Sequence, residues 1–193
     1  MSDQKPKDSH QIDFDVLENS VRQILEAIGE DVSREGLKDT PYRVSRLYEE
    51  LFSGMSQDPM AILETTFNEG HFDPVVIANI PFLSICEHHL LPFFGQANVG
   101  YIPKGKVLGA SKIARVLDIF SRRPQIQERL TSQLANSIQD TLLSEATYVV
   151  LSAEHMCMGI RGVKKPGSLV VTVSQVGSST AVKELKSLMR KIS

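Results

Sequence analysis

The chain has 193 residues and a formal net charge of −2 at pH 7, and 41% of its residues are hydrophobic. That balance suits one domain with a real core plus a modest extension, and it excludes a disordered chain or one drawn to nucleic acid by bulk charge. No apolar run approaches the ~20 residues of a membrane span, and residues 1–10 are polar, without a signal-peptide apolar segment. The expectation is a disordered tail over residues 1–10 on a cytoplasmic protein that has neither a nucleic acid nor a membrane as partner.

Phe14, Leu17, Val21, Ile24, Leu25 and Ile28 recur at helical spacing, and Gly29 ends the run. Asp39-Thr40-Pro41 then reads as an N-cap with proline at the first helical position. Tyr42, Val44, Leu47, Tyr48, Leu51 and Phe52 make a second amphipathic helix that closes near Gly54. These two helices form an N-terminal hairpin within an extension over residues 11–72, and a short helical piece follows from Met60 to Leu63.

The period then changes. Residues 74–82 are β-branched and bounded by prolines, which predicts a strand. Residues 93–102 predict a second, with Gly95 and Gly100 marking a bulge or bend. Residues 86–89 fall in the connection between them. Ser111 opens a helix through Ile113, Val116, Leu117 and Phe120, and Pro124 breaks it. Ile126, Leu130, Leu134, Ile138 and Leu142 form a long regular helix. Residues 147–155 and 168–176 are two further strands, and Val182, Leu185, Leu188 and Ile192 end the chain as a basic helix. Short connections favour antiparallel pairing, so the fold class is α+β.

The sequence holds only two cysteines and five histidines, and three of those histidines flank the cysteines: Cys86-Glu87-His88-His89 and His155-Met156-Cys157. A disulfide belongs to oxidising compartments, and two buried thiols would not need histidine company. Zinc takes thiolate sulfur and imidazole nitrogen. Cys86 and His89 reach one ion across a tight turn, and Cys157 supplies a third ligand from a far strand. Three protein ligands leave a position for water, which zinc activates, whereas a structural site is closed by four. Alternation in an extended segment would place Met156 opposite Cys157 and His155 alongside it. His88 and His155 are then general acid–base candidates, or else packing residues, or else the ligands that close a structural site. Glu87 either ligates the ion, orients a ligand from behind it, or is a solvated turn carboxylate. His10 and His71 read as surface.

Basic residues gather in the second half: Lys104, Lys106, Lys112, Arg115, Arg122, Arg123, Arg161, Lys164 and Lys165. Ser111 and Lys112 stand at a helix N-terminus, suited to phosphate, and Arg115 lies one turn on. Arg161 follows the second cysteine closely. A solvated basic face explains any one of these alone. With a catalytic metal they point to a polyphosphate substrate, and no P-loop is present.

Together these segments resemble the zinc-dependent GTP cyclohydrolase I family. The resemblance rests on Asp39-Thr40-Pro41-Tyr42-Arg43, Cys86-Glu87-His88-His89-Leu90-Leu91-Pro92, Tyr101-Ile102-Pro103, Gly109-Ala110-Ser111-Lys112-Ile113, Arg123-Pro124-Gln125-Ile126-Gln127-Glu128-Arg129-Leu130 and His155-Met156-Cys157-Met158-Gly159-Ile160-Arg161-Gly162. It implies that GTP and water become 7,8-dihydroneopterin triphosphate and formate, the first step of tetrahydrofolate and pterin synthesis. It implies Cys86, His89 and Cys157 as ligands of Zn2+, His155 as the acid at a guanine ring nitrogen, and His88 as an assistant in proton transfer. Glu128 would anchor the guanine edge, with Gln127 beside it near the sugar. Ser111, Lys112, Arg115, Arg161 and Arg43 would contact the phosphates. The implied fold is the tunnelling fold, an antiparallel four-stranded sheet with two helices between its second and third strands, here over residues 73–193. The implied assembly is a homo-oligomer, a decamer of two pentamers with sites at subunit interfaces. Ala110 stands where the family often has leucine, and Ser178-Ser179-Thr180 where it usually has an aromatic residue.

Two rivals remain at this level. A zinc nucleobase deaminase needs a Pro-Cys-x-x-Cys pair, and the chain has no Cys-x-x-Cys. A non-catalytic zinc-stabilised module that binds nucleotides or pterins would need the metal only for folding.

Overall fold

The computed structural model describes residues 12–191, so the expected N-terminal tail, His10 and Ile192 lie outside the described residues. In chain order the elements are α1 (Phe14–Ala27), α2 (Thr40–Leu51), a 3-10 turn (Ser53–Ser56), α3 (Pro59–Leu63), β1 (Phe67–His71), β2 (Val75–Cys86), β3 (Pro92–Ile102) and β4 (Gly105–Val107). There follow α4 (Ala110–Ser121), β5 (Pro124–Gln125), α5 (Gln127–Leu142), β6 (Ala146–His155), α6 (Met156–Gly159), β7 (Leu169–Gly177) and α7 (Ser179–Met189).

The second helix starts after Asp39 as expected, although the Asp39 side chain makes no capping hydrogen bond, and the first carries a cap that apolar spacing did not show. The Asp13 carboxylate accepts from the Val16 N–H at 3.0 Å, which satisfies one of the donors a helix start leaves free. Pro41 occupies the first turn of α2, where its missing N–H is harmless. The pair packs through the buried Ser45, which donates to Glu18 at 3.2 Å, and through the Arg46 guanidinium, 3.8 Å over the Phe14 ring. Arg123 ties the segment after α2 to the body by donating to the carbonyls of Gly54 and Gln57, each at 2.9 Å. Val16, Ile24, Ile28, Tyr42 and Leu47 of the hairpin stay exposed.

The main sheet has the order β5-β2-β3-β6-β7, and β1 and β4 pair as a separate ribbon. Strand alternation sends Ala97, Val99 and Tyr101 of β3 and Val149, Leu151 and Ala153 of β6 to one face. There they are fully buried against Ile113 and Leu117 of α4 and Leu130, Leu134 and Ile138 of α5. On the opposite face Tyr148 and Ile102 pack on Ala181, Val182, Leu185 and Met189 of α7. At Gly100 the α7 side chains come close, with Met189 Cε 2.7 Å and Leu185 Cδ2 3.2 Å from where a Cβ would stand.

The α+β class with antiparallel strands is as expected, and the structure adds detail that hydropathy did not carry. A two-residue strand, β5, pairs parallel to the end of β2 and makes the sheet five-stranded. β2 runs on past Phe82 to Cys86, because Cys86 pairs with Gln125, so Cys86 ends a strand and does not sit in the connection. The irregularity lies in β2 between Ile77 and Ile80 and not at Gly95 or Gly100 of β3, whose ladder with β6 is unbroken. Asn79 takes the left-handed conformation there, with φ 56°, and its N–H bonds the Asn98 side chain at 2.9 Å; asparagine tolerates that region better than most residues.

Candidate active site

The end of the sheet where β2 turns into β3 holds the chemistry. The Cys86 N–H donates to Leu91 O and the Leu90 N–H to Cys86 O, each at 2.9 Å, which closes a tight loop over residues 87–90. Leu90 takes φ 53° to make that turn, a conformation that strains a non-glycine residue. The loop is pinned from outside as well. The Glu87 N–H donates to Gln125 O at 3.0 Å, and its carboxylate takes a two-pronged pair from Arg129 of α5 at 2.6 and 3.1 Å. Arg129 holds the Glu87 carboxyl below the usual carboxylate range.

β6 pairs Phe93 with His155 at this same end. Beyond His155 the chain turns into the short α6, so Cys157 sits on a helical turn and not in an extended segment; the expected alternation about Met156 does not apply. The result brings the ligand atoms of Cys86, His89 and Cys157 within 4.8 Å of one another. Cys86 is buried, Cys157 half-buried and His89 exposed, so the group is open on one side. Burial, and then the neighbouring Cys86 sulfur, push the Cys157 thiol above its usual range, while Arg161 acts in the other direction. Two soft sulfurs and one imidazole suit a zinc ion, and three ligands leave a position free. His88 and His155 are outside this group. His88 Nδ1 approaches Cys86 Sγ at 3.8 Å.

His155 lies flat on Phe93, with ring centroids 4.6 Å apart and planes 7° from parallel. Burial lowers its pKa, and the Glu128 carboxylate acts against that shift. Glu128 is exposed in the first turn of α5, beside the imidazole. Gln127 is 1% exposed and accepts from or donates to protein groups only: His155 Nε2 at 2.7 Å, Leu151 O at 3.1 Å, Val170 O at 2.9 Å and Thr172 Oγ1 at 3.1 Å.

The remaining basic candidates are elsewhere in the chain. α4 ends at the metal-ligand end, where Ser84 Oγ donates to Ser121 O at 2.7 Å. Lys112 lies about 13 Å back along the axis at ~1.5 Å per residue, and its ammonium is held by Ile62 O at 2.7 Å. Ser111 is exposed in the first turn of α4, and Arg115 is exposed midway along it, lining a cavity with Ile62, Asp118 and Arg122. Arg43 stands at the start of α2, donating to Gly36 O at 3.1 Å and Thr40 Oγ1 at 2.8 Å. One chain thus links Cys86, His88, His89, Glu128, His155, Cys157 and Arg161, while Arg43 and Lys112 bond to other parts of the chain. Sequence reasoning missed Arg129 as a clamp on the ligand loop; its spacing from Glu87 gives no local signal.

The GTP cyclohydrolase I family model matches residues 17–193. A GTP cyclohydrolase 1 of Carboxydothermus hydrogenoformans is 59% identical over 162 residues, covering 83% of this chain and 84% of the relative. One of Halalkalibacterium halodurans is 54% identical over 168 residues (86% and 89%), and one of Streptococcus suis 52% over 162 residues (83% and 87%). Among solved structures, the apo archaeosine synthase QueF-Like aligns over 54% of this chain and 94% of that chain, with TM-score 0.44 and 20% identity. The chain is an enzyme that belongs to the GTP cyclohydrolase I family.

Proposed function

We propose that this enzyme opens the imidazole ring of the GTP guanine with water, releases formate and recloses the product to 7,8-dihydroneopterin triphosphate. The observation that carries the reading is the open Cys86, His89 and Cys157 group with His155 and Glu128 beside it. Cys86, His89 and Cys157 would hold zinc. When bound, zinc there supplies Lewis-acid activation of water at neutral pH.

The chain's own residues do the rest. Carbon 8 of guanine lies between two nitrogens and is a poor electrophile until one is protonated. His155 donates that proton, and its lowered pKa makes the imidazolium a stronger acid. His88, next to the cysteine, moves protons in the later hydrolytic steps. The Glu128 carboxylate accepts from the N–H edge of the guanine and fixes its orientation. Arg161 binds phosphate from the same chain as the metal group.

Arg43, Ser111, Lys112 and Arg115 bind the triphosphate from a second copy. Lys112 and Arg43 bond away from the metal group within one chain, which is consistent with a site shared between subunits, and the exposed apolar residues of the hairpin support burial against another copy. We read the assembly as a homo-oligomer of decamer type, built on a tunnelling fold over residues 73–193 with the helical extension before it, and acting in the cytoplasm. The test is to incubate zinc-loaded protein with GTP and assay formate together with the fluorescent neopterin obtained after oxidation. Both products are expected. Formate without neopterin would contradict the reclosure step, and neither product from a folded, zinc-loaded protein would contradict the reading.

A further inference from the structure

The buried amide of Gln127 is bonded in a way that fixes its orientation. Its nitrogen faces two backbone carbonyls, Leu151 O at 3.1 Å and Val170 O at 2.9 Å. A carbonyl cannot donate, so the NH2 group must point there and the amide oxygen must point at His155. The hydroxyl chain beside it has one consistent direction. Thr131 Oγ1 donates to Gln127 O at 2.6 Å, which spends its only proton. Thr172 Oγ1, 2.6 Å from Thr131 Oγ1, must therefore donate to it and turns a lone pair toward the Gln127 NH2 at 3.1 Å, whose two protons are shared among this oxygen and the two carbonyls. A flipped amide would oppose two carbonyl oxygens in a site with 1% exposure, where unpaired polar groups are costly.

It follows that the Gln127 oxygen accepts, and His155 Nε2, 2.7 Å away, must carry a proton. Phe93 stacks on the ring and holds its plane. We propose that Gln127 is the positioning residue of His155: it fixes the Nε2–H tautomer and leaves Nδ1 as the single nitrogen able to exchange a proton with substrate. Gln127 acts through the imidazole and does not touch the nucleotide. The identity of the group that receives the Nδ1 proton rests on the GTP cyclohydrolase reading, whereas the tautomer does not.

The test uses zinc-loaded, full-length protein labelled with 15N-histidine, with His155 assigned by loss of its signals in His155→Asn. With the ring neutral and no substrate present, a protonated Nε2 and a bare Nδ1 are expected; a bare Nε2 would overturn the proposal. Gln127→Met keeps the length and removes the amide. It should retain zinc and KM for GTP, lose the fixed tautomer, and lower kcat by about 10–100-fold, the usual effect of removing a partner that orients a functional histidine. A raised KM with kcat intact would instead make Gln127 a substrate contact and overturn the proposal. Thr172→Val leaves both carbonyl acceptors in place and should keep tautomer and kcat; a loss equal to that of Gln127→Met would reduce Gln127 to packing. If Gln127→Met fails to fold, the wild-type ring shifts still decide. A wild type that makes no formate from GTP would sink the proposed function, and the ring shifts would be read all the same.

Discussion

The division of the site residues within one chain leads to a mixing experiment. Take one variant without the metal group, Cys157→Ser, and another without the distal cations, Lys112→Ala with Arg115→Ala. Each alone should be inactive, since one lacks the ligand set and the other the phosphate contacts. Lys112 stands about 13 Å along α4 from Ser121, the end bonded to β2 at Ser84, and its ammonium is held by Ile62 O at 2.7 Å, with no bond to the metal group. If each site takes its metal group from one subunit and its distal cations from a neighbour, equal mixing gives both halves intact at roughly one site in four, half times half for random assembly in a symmetric oligomer. Co-expressed or co-refolded variants should then regain roughly a quarter of wild-type formate release. If both halves came from one chain, no mixed site could be whole. Activity of the mixture equal to that of its two parents would refute the shared site.

Three further outcomes follow from the packing. Tyr101 is fully buried, its hydroxyl accepts from the Leu108 N–H at 3.3 Å, and burial pushes its pKa up. The folded state therefore keeps a proton that the unfolded state releases, so stability is fully present below about pH 10 and falls as pH rises above it; tyrosinate absorbance from Tyr101 should appear only together with unfolding, and Tyr101→Phe should blunt that alkaline loss. Leu134 has no exposed surface in the layer between α5 and the sheet, so Leu134→Ala should cost about 2–5 kcal/mol in denaturant unfolding. Arg129→Ala frees the loop that carries Cys86 and His89 and should weaken zinc binding by about 10-fold or more against a chelating dye, with little change in global stability because the ion pair is exposed.

Much of this was legible in the sequence because the signals were local. Asp39-Thr40-Pro41 and the apolar spacing of α5 place helices without tertiary information, and histidines beside both cysteines mark the ligand group. What was not legible depends on partners distant in the chain. β5 has two residues and exists only because β2 offers its edge. The bulge falls at Asn79 and not at a glycine, because Asn98 across the ladder supplies an acceptor for its N–H. The turn at α6 takes Cys157 out of the extended segment expected to continue past the strand over residues 147–155. The burial of the Gln127 amide against Leu151 and Val170 has no signal in its sequence neighbours.

The central claim is that Cys86, His89 and Cys157 hold the ion on which GTP turnover depends. Stripping the protein with a chelator and titrating zinc back, while recording bound zinc per chain and formate from GTP, tests it most directly. Activity should vanish on stripping and return in proportion to bound zinc, reaching its plateau at about one ion per chain, as a single three-ligand site requires. Full turnover from zinc-free protein, or zinc bound at equal strength by Cys86→Ser, would contradict it.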